Sequence, residues 1–129
     1  MANPEFKPTD AELEVLNVLW RRGLSSVRQV NEEVSKNREV VYTTTLKMMQ
    51  VMTEKGLLRR DTSQRTHLYE AAISESSIQR SVMDRMLQTV FRGSPLKLVV
   101  QALGHERTRP EDLEEIKRII DELEKEDNA

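Results

Sequence analysis

From residue 42 the chain reads Tyr42-Thr43-Thr44-Thr45-Leu46-Lys47, with Gln50 three residues further on. On a helix these side chains place short hydroxyls, an amide and an ammonium at a slim end that can approach base edges closely. A threonine hydroxyl donates or accepts, and its methyl can touch the thymine C5 methyl. A glutamine amide pairs bidentately with adenine, and a lysine reaches a guanine edge or a phosphate. Tyr42, at the helix start, can hydrogen-bond a phosphate through its phenol. Downstream, Glu54-Lys55-Gly56-Leu57-Leu58-Arg59-Arg60 reads as a glycine stop and then a strand bearing arginines, with Arg65 near the tip of the next turn. A helix followed by a basic hairpin suits recognition of duplex DNA, the helix reading bases and the hairpin gripping phosphate. Tyr42, Thr43, Thr44, Lys47, Gln50 and Arg65 are the candidate DNA contacts.

Such a helix needs one face packed on its own domain. Taking Thr45, Met48, Met49 and Met52 as that inner face leaves Thr43, Thr44, Lys47 and Gln50 outward, while Leu46 and Val51 fit neither role. Read alone, the segment is also compatible with an ordinary core helix that has a β-branched start. Arg59 and Arg60 can pair with local carboxylates, and Arg21, Arg22 and Arg28 read as solvated surface cations able to touch a DNA backbone.

The elements that position this segment have clear boundaries. Pro4 and Pro8 mark a loose lead, and Thr9-Asp10-Ala11-Glu12 matches a capping box. Leu13, Leu16, Leu19 and Trp20 follow at helical spacing up to Gly23. Ser25 or Ser26 can cap a second helix carrying Val27, Val30 and Val34 on one stripe, and Asn37-Arg38 is a plausible turn. A third helix is expected from Val41 to Lys55, stopped by Gly56. Leu57–Asp61 and Thr66–Ala71 read as strands around the turn Thr62-Ser63-Gln64-Arg65. Three helices and a hairpin is the order of a winged helix-turn-helix. The expected fold is therefore mainly α with a small β-hairpin wing, residues 1–73 forming the winged helix and 74–129 a helical dimerisation region.

In that second region Ser74-Glu75 opens a helix striped by Ile78, Val82, Met86 and Val90, which Gly93-Ser94-Pro95 breaks. Leu96 to Leu103, with Leu98 and Val99, is a short apolar helix, followed by a polar linker from Gly104 to Arg109. Pro110 begins a last helix bearing Leu113, Ile116, Ile120 and Leu123. So few residues cannot bury these stripes alone, and a second copy of the chain completes the core. Ile78, Val82, Met86, Leu98, Val99, Leu103, Leu113, Ile116 and Ile120 are the expected dimer contacts.

Composition excludes several alternatives. With no cysteine there is no disulfide or thiolate metal site, and an aromatic content of 4% is too low for a single-strand stacking platform. His67 and His105 are too isolated for a metal site. No nucleophilic triad, phosphate-binding glycine loop or paired acid and base is apparent, so neither cofactor nor enzyme activity is expected. No signal peptide or apolar run of membrane-spanning length is present, and a cytoplasmic location is expected by default. The net charge of −2 is unhelpful to a DNA binder, but residues 1–72 carry 11 Lys+Arg against 10 Asp+Glu and residues 73–129 carry 9 against 12. A local stripe, not the total, sets phosphate affinity. The other class open to this chain is a winged-helix protein-interaction module that does not bind DNA.

The opening Thr9-Asp10-Ala11-Glu12-Leu13-Glu14-Val15-Leu16 with Leu19-Trp20, the Val27-Arg28-Gln29-Val30 helix and Tyr42-Thr43-Thr44-Thr45 together resemble the penicillinase-repressor (BlaI/MecI/CopY) family. Glu54-Lys55-Gly56-Leu57 and Arg65-Thr66-His67-Leu68-Tyr69 continue the pattern in order and spacing. The resemblance implies a homodimeric repressor of inverted-repeat operators, with duplex operator DNA as partner. In one branch it implies derepression by a membrane sensor metalloprotease that leads to cleavage in the dimerisation region. The scissile Asn-Phe pair of that branch corresponds here to Gln101-Ala102. The cysteines of the copper-sensing branch are missing, and Val51 stands where the family commonly has an arginine.

Overall fold

The first helix starts where the chain supplies a reciprocal cap. In a computed structural model, which describes residues 7–104 and 108–128, Thr9 Oγ1 accepts from the Glu12 N–H at 3.1 Å. Glu12 Oε1 in turn accepts from the Thr9 N–H at 2.9 Å. Two orphan amides of the first turn are satisfied this way, and α1 runs Asp10–Arg22. Pro4 and His105 lie outside the described residues.

A second capping box, between Ser26 and Gln29, opens α2 (Val27–Val34). Ser26 is the cap; Ser25 instead pairs through its backbone with Tyr69. α3 spans Tyr42–Glu54, with Val41 and Lys55 as its half-helical flanks. Its end is a Schellman closure, with the Leu57 N–H donating to the Met52 carbonyl at 2.9 Å and the Gly56 N–H to that of Thr53 at 3.1 Å. Gly56 supplies the left-handed φ of +84° that this closure requires.

The wing is an antiparallel hairpin of β1 (Leu58–Asp61) and β2 (Leu68–Ala71), in register Leu58↔Ala71 to Asp61↔Leu68. Both strands start later than the sequence suggests. Asp61 Oδ1 accepts from the Ser63 N–H at 2.9 Å, turning the chain out of the ladder so that 62–67 form the loop.

α1, α2 and α3 pack on one another and on the hairpin. The core between them is made of Val15, Leu16 and Leu19, the valines 27, 30 and 34, Met49 and Met52, and Leu57, Leu58 and Tyr69. Trp20 Nε1 donates to the Ile73 carbonyl at 2.9 Å, tying the end of α1 to the chain leaving the wing.

α4 (Glu75–Thr89), α5 (Pro95–Leu103) and α6 (Pro110–Asp127) follow. The chain divides into compact units between Asp84 and Arg85, within α4, and not at 73/74. Ile78, near the start of α4, is 2% exposed and belongs to the core of the first unit. Ile78 therefore leaves the set of expected dimer contacts, since no partner can reach a side chain sealed in its own domain. The second unit buries none of the described residues of α5 or α6.

Glu12 is a buried carboxylate at the base of the first unit, met by Lys55 Nζ at 3.0 Å. Burial pushes its carboxyl up. The Thr9 hydrogen bonds and the Lys55 ammonium outweigh that and hold it below its ordinary value of 4.5. A carboxyl depressed in the folded state contributes stability above its unfolded pKa and loses it as pH falls through the folded one. Glu12→Gln keeps the cap but not the charge. It is expected to cost about 1 kcal/mol at pH 7, modest because Lys55 is half exposed. In urea titrations the gap to the parent should shrink as pH drops below 4.5, whereas a gap independent of pH would remove Glu12 from that role.

Candidate nucleic-acid interface

α3 has a strongly divided surface. Thr45, Met49 and Met52 are 2%, 0% and 0% exposed, and burying each methionine contributes roughly 1.5–3 kcal/mol. Met48 and Leu46 are half-buried against the same core. Tyr42, Thr43, Thr44, Lys47, Gln50 and Val51 are exposed. At 100° per residue, Thr43, Thr44, Lys47, Gln50 and Val51 fall on one face, opposite Thr45, Met49 and Met52. That face offers hydroxyls, an ammonium and an amide, together with one apolar side chain, Val51.

The angle of the helix is set from α2. Asn31 Nδ2 donates to the Val40 carbonyl at 2.9 Å and to Thr45 Oγ1 at 2.8 Å. Ser35 Oγ adds a bond to the same Val40 carbonyl at 3.2 Å. The turn between the helices and the first turn of α3 are thus held by one amide. Spacing alone showed no role for Asn31.

The arginines separate by partner. Arg21 and Arg22 both reach Glu33, at 3.3 and 3.5 Å. A hydrogen bond from Lys36, helped by the charges of Lys36, Arg21 and Arg22, holds that carboxyl below its ordinary value against the opposing effect of desolvation. Arg59 pairs with Glu70 across the hairpin at 3.2 Å. Arg28 and Arg65 have no ion pair among the described residues. Both line a cleft of about 520 Å³ between the start of α2, the start of α3 and the wing. Tyr42, Leu46, His67 and Tyr69 share its walls. Leu46, which fits neither face of α3 by periodicity, packs on the core and lines this cleft. Arg28 reads from the sequence only as a surface cation able to touch a DNA backbone, and His67 and Tyr69 were not legible as site residues. Arg28 lies far from the other two in sequence, and their meeting depends on the backbone pairing of Ser25 with Tyr69, at 3.0 and 2.8 Å.

Gln101 and Ala102 are exposed in the second half of α5. Of the remaining expected dimer contacts, Val82, Met86, Val99, Leu103, Leu113 and Ile120 are exposed, and Leu98 and Ile116 partly so. Among the described residues no cluster of His, Cys, Asp or Glu could hold a metal ion.

A helix-turn-helix with a divided third helix and a hairpin wing defines a winged-helix DNA-binding transcriptional regulator. The chain belongs to the penicillinase repressor family, whose model matches residues 8–122. It is 24% identical to a Staphylococcus aureus penicillinase repressor over 97% of this chain and 99% of that one. It is 29% identical to the Mycobacterium tuberculosis transcriptional regulator BlaI, over 89% of this chain and 83% of that one. Among solved structures it is similar to the monomeric form of Bacillus licheniformis BlaI in complex with the blaP half-operator. There the TM-score is 0.50 at 30% identity, covering 57% of this chain and 89% of that one.

Asn31→Ala leaves the half-buried Val40 carbonyl with one donor fewer and the buried Thr45 hydroxyl without its Asn31 donor. A loss of about 1–3 kcal/mol in urea unfolding is expected. An unchanged midpoint would show that Asn31 does not hold the two helices together.

Proposed function

We propose that this protein is a transcriptional repressor that binds an inverted-repeat operator as a homodimer, with α3 in the major groove and the 62–67 loop against the flanking backbone. The observation that carries the reading is the division of α3. A helix whose one side is sealed into the core while the other offers Thr43, Thr44, Lys47 and Gln50 matches the docking geometry of a recognition helix. The half-operator complex of the similar Bacillus licheniformis BlaI supports duplex DNA as the ligand.

The second unit supports pairing. Leu96, Val99, Val100, Leu113, Ile119 and Leu123 are all exposed, large apolar side chains of the kind that a second copy would cover. Two half-sites engaged by one dimer gain from effective concentration, so any signal that separates the protomers releases the operator. If that signal is proteolysis started by a membrane sensor metalloprotease, exposed Gln101 and Ala102 are the positions it has to reach. No described helix is long and apolar enough to cross a membrane. The protein is proposed to act in the cytoplasm, beside the DNA it regulates.

Thr44→Ala and Lys47→Ala should each lower operator affinity about tenfold in a gel shift while leaving the oligomer intact. Unchanged affinity in both would take α3 out of the groove. Aspartates at Ile116 and Ile120 should give monomers in sedimentation, with operator affinity reduced at least a hundredfold. Persistent dimers would exclude α6 from the interface.

A further inference from the structure

We propose that the cleft between α2, α3 and the wing is a built seat for one phosphate group, occupied by a backbone phosphodiester when duplex DNA is bound. Its walls carry the groups that phosphate chemistry calls for. Arg28 and Arg65 enter from opposite elements, each without an ion pair among the described residues, and no carboxylate lines the cavity. Tyr42 and His67 add a phenol and an imidazole. α2 opens into the same space. Ser26 Oγ takes up the Gln29 N–H at 3.2 Å, which leaves the Val27 and Arg28 amides without an intrahelical acceptor at the positive end of the helix dipole.

A second, independent feature lies in the floor. Tyr69 is 2% exposed, yet its phenol has no hydrogen-bond partner among the described residues, and the residue lines this cleft. A buried tyrosine ordinarily finds a partner for its hydroxyl. No buried side-chain polar atom among the described residues is both sealed and unsatisfied, so the Tyr69 hydroxyl keeps some access to open space, on a residue that lines this cleft. An anion seated there would receive the hydroxyl, the guanidiniums and the α2 amides together. The Ser25–Tyr69 backbone pair holds the floor to the start of α2, so the donors are arranged before the ligand arrives. Phosphate contacts of this kind fix register on the duplex and do not read sequence.

The choice of DNA as the source of the phosphate rests on the duplex-binding reading above; the seat itself does not. The full chain is titrated against a fluorescent duplex of mixed sequence over a salt series. Tyr69→Phe, which keeps the buried ring, should weaken binding about tenfold. Arg28→Gln should lower the slope of log affinity against log salt by about 1. Both should act alike on every duplex sequence, unlike Lys47→Ala. Parent-like affinity and slope in both variants, with circular dichroism showing them folded, would overturn the seat. If the parent binds no duplex at all, the DNA reading fails by itself, and inorganic phosphate decides the remainder. Saturable shifts of the Val27 and Arg28 amide resonances would then support a seat for free phosphate, and their absence would overturn it.

Discussion

The seating of α3 on α2 through Asn31 governs most of what this protein presents to its surroundings. One amide joins the carbonyl that ends the inter-helix turn to a buried threonine hydroxyl in the first turn of α3. A buried hydroxyl left unmatched costs more than the bond itself contributes, so the pair specifies a single arrangement. Rotation of α3 about its axis would expose Met49 and Met52 and orphan Thr45 in the same movement. The rotational setting of Thr44, Lys47 and Gln50 therefore comes from the buried side of the helix.

The wing is positioned by a different constraint. Two-stranded hairpins are marginal alone, and this one is anchored to the domain by the pairing of Tyr69 with Ser25 and by Leu58 and Tyr69 in the core. These contacts place Arg65 and His67 beside the start of α2, and they turn an exposed loop into one wall of a cleft. Charge follows the same plan. Arg21, Arg22 and Arg59 are engaged by Glu33 and Glu70, while the cleft arginines are left to face solvent or an anion.

The C-terminal unit inverts this logic. α5 and α6 have well-formed local signals, Ser94 capping the first at 3.2 Å and Pro110 opening the second. Nonetheless, none of their described side chains is buried. Local propensity makes the helices, and the homodimer proposed above would supply the burial that tertiary packing supplies in the first unit.

Much of this was readable from residue order. The caps at Thr9 and Ser26, the Gly56 stop, the stripe of Val27, Val30 and Val34, and the outward set on α3 are consequences of short-range stereochemistry and helical period, which a linear sequence carries in full. The same reasoning failed for Ile78, whose helical stripe looks continuous with Val82 and Met86. Periodicity shows that a face is apolar and cannot show which body covers it. It was silent on Asn31, His67 and Tyr69 because their roles come from neighbours distant in the chain. By itself, then, the sequence determined the elements, their order and the chemical character of the outward face of α3. Only the tertiary structure decided that Ile78 belongs to the first core and that α2, α3 and the wing enclose a cationic cleft. The burial of Ile78 comes from packing onto that core, and the cleft from the long-range closure of Ser25 onto Tyr69 and of Asn31 onto Thr45, for which no local pattern exists.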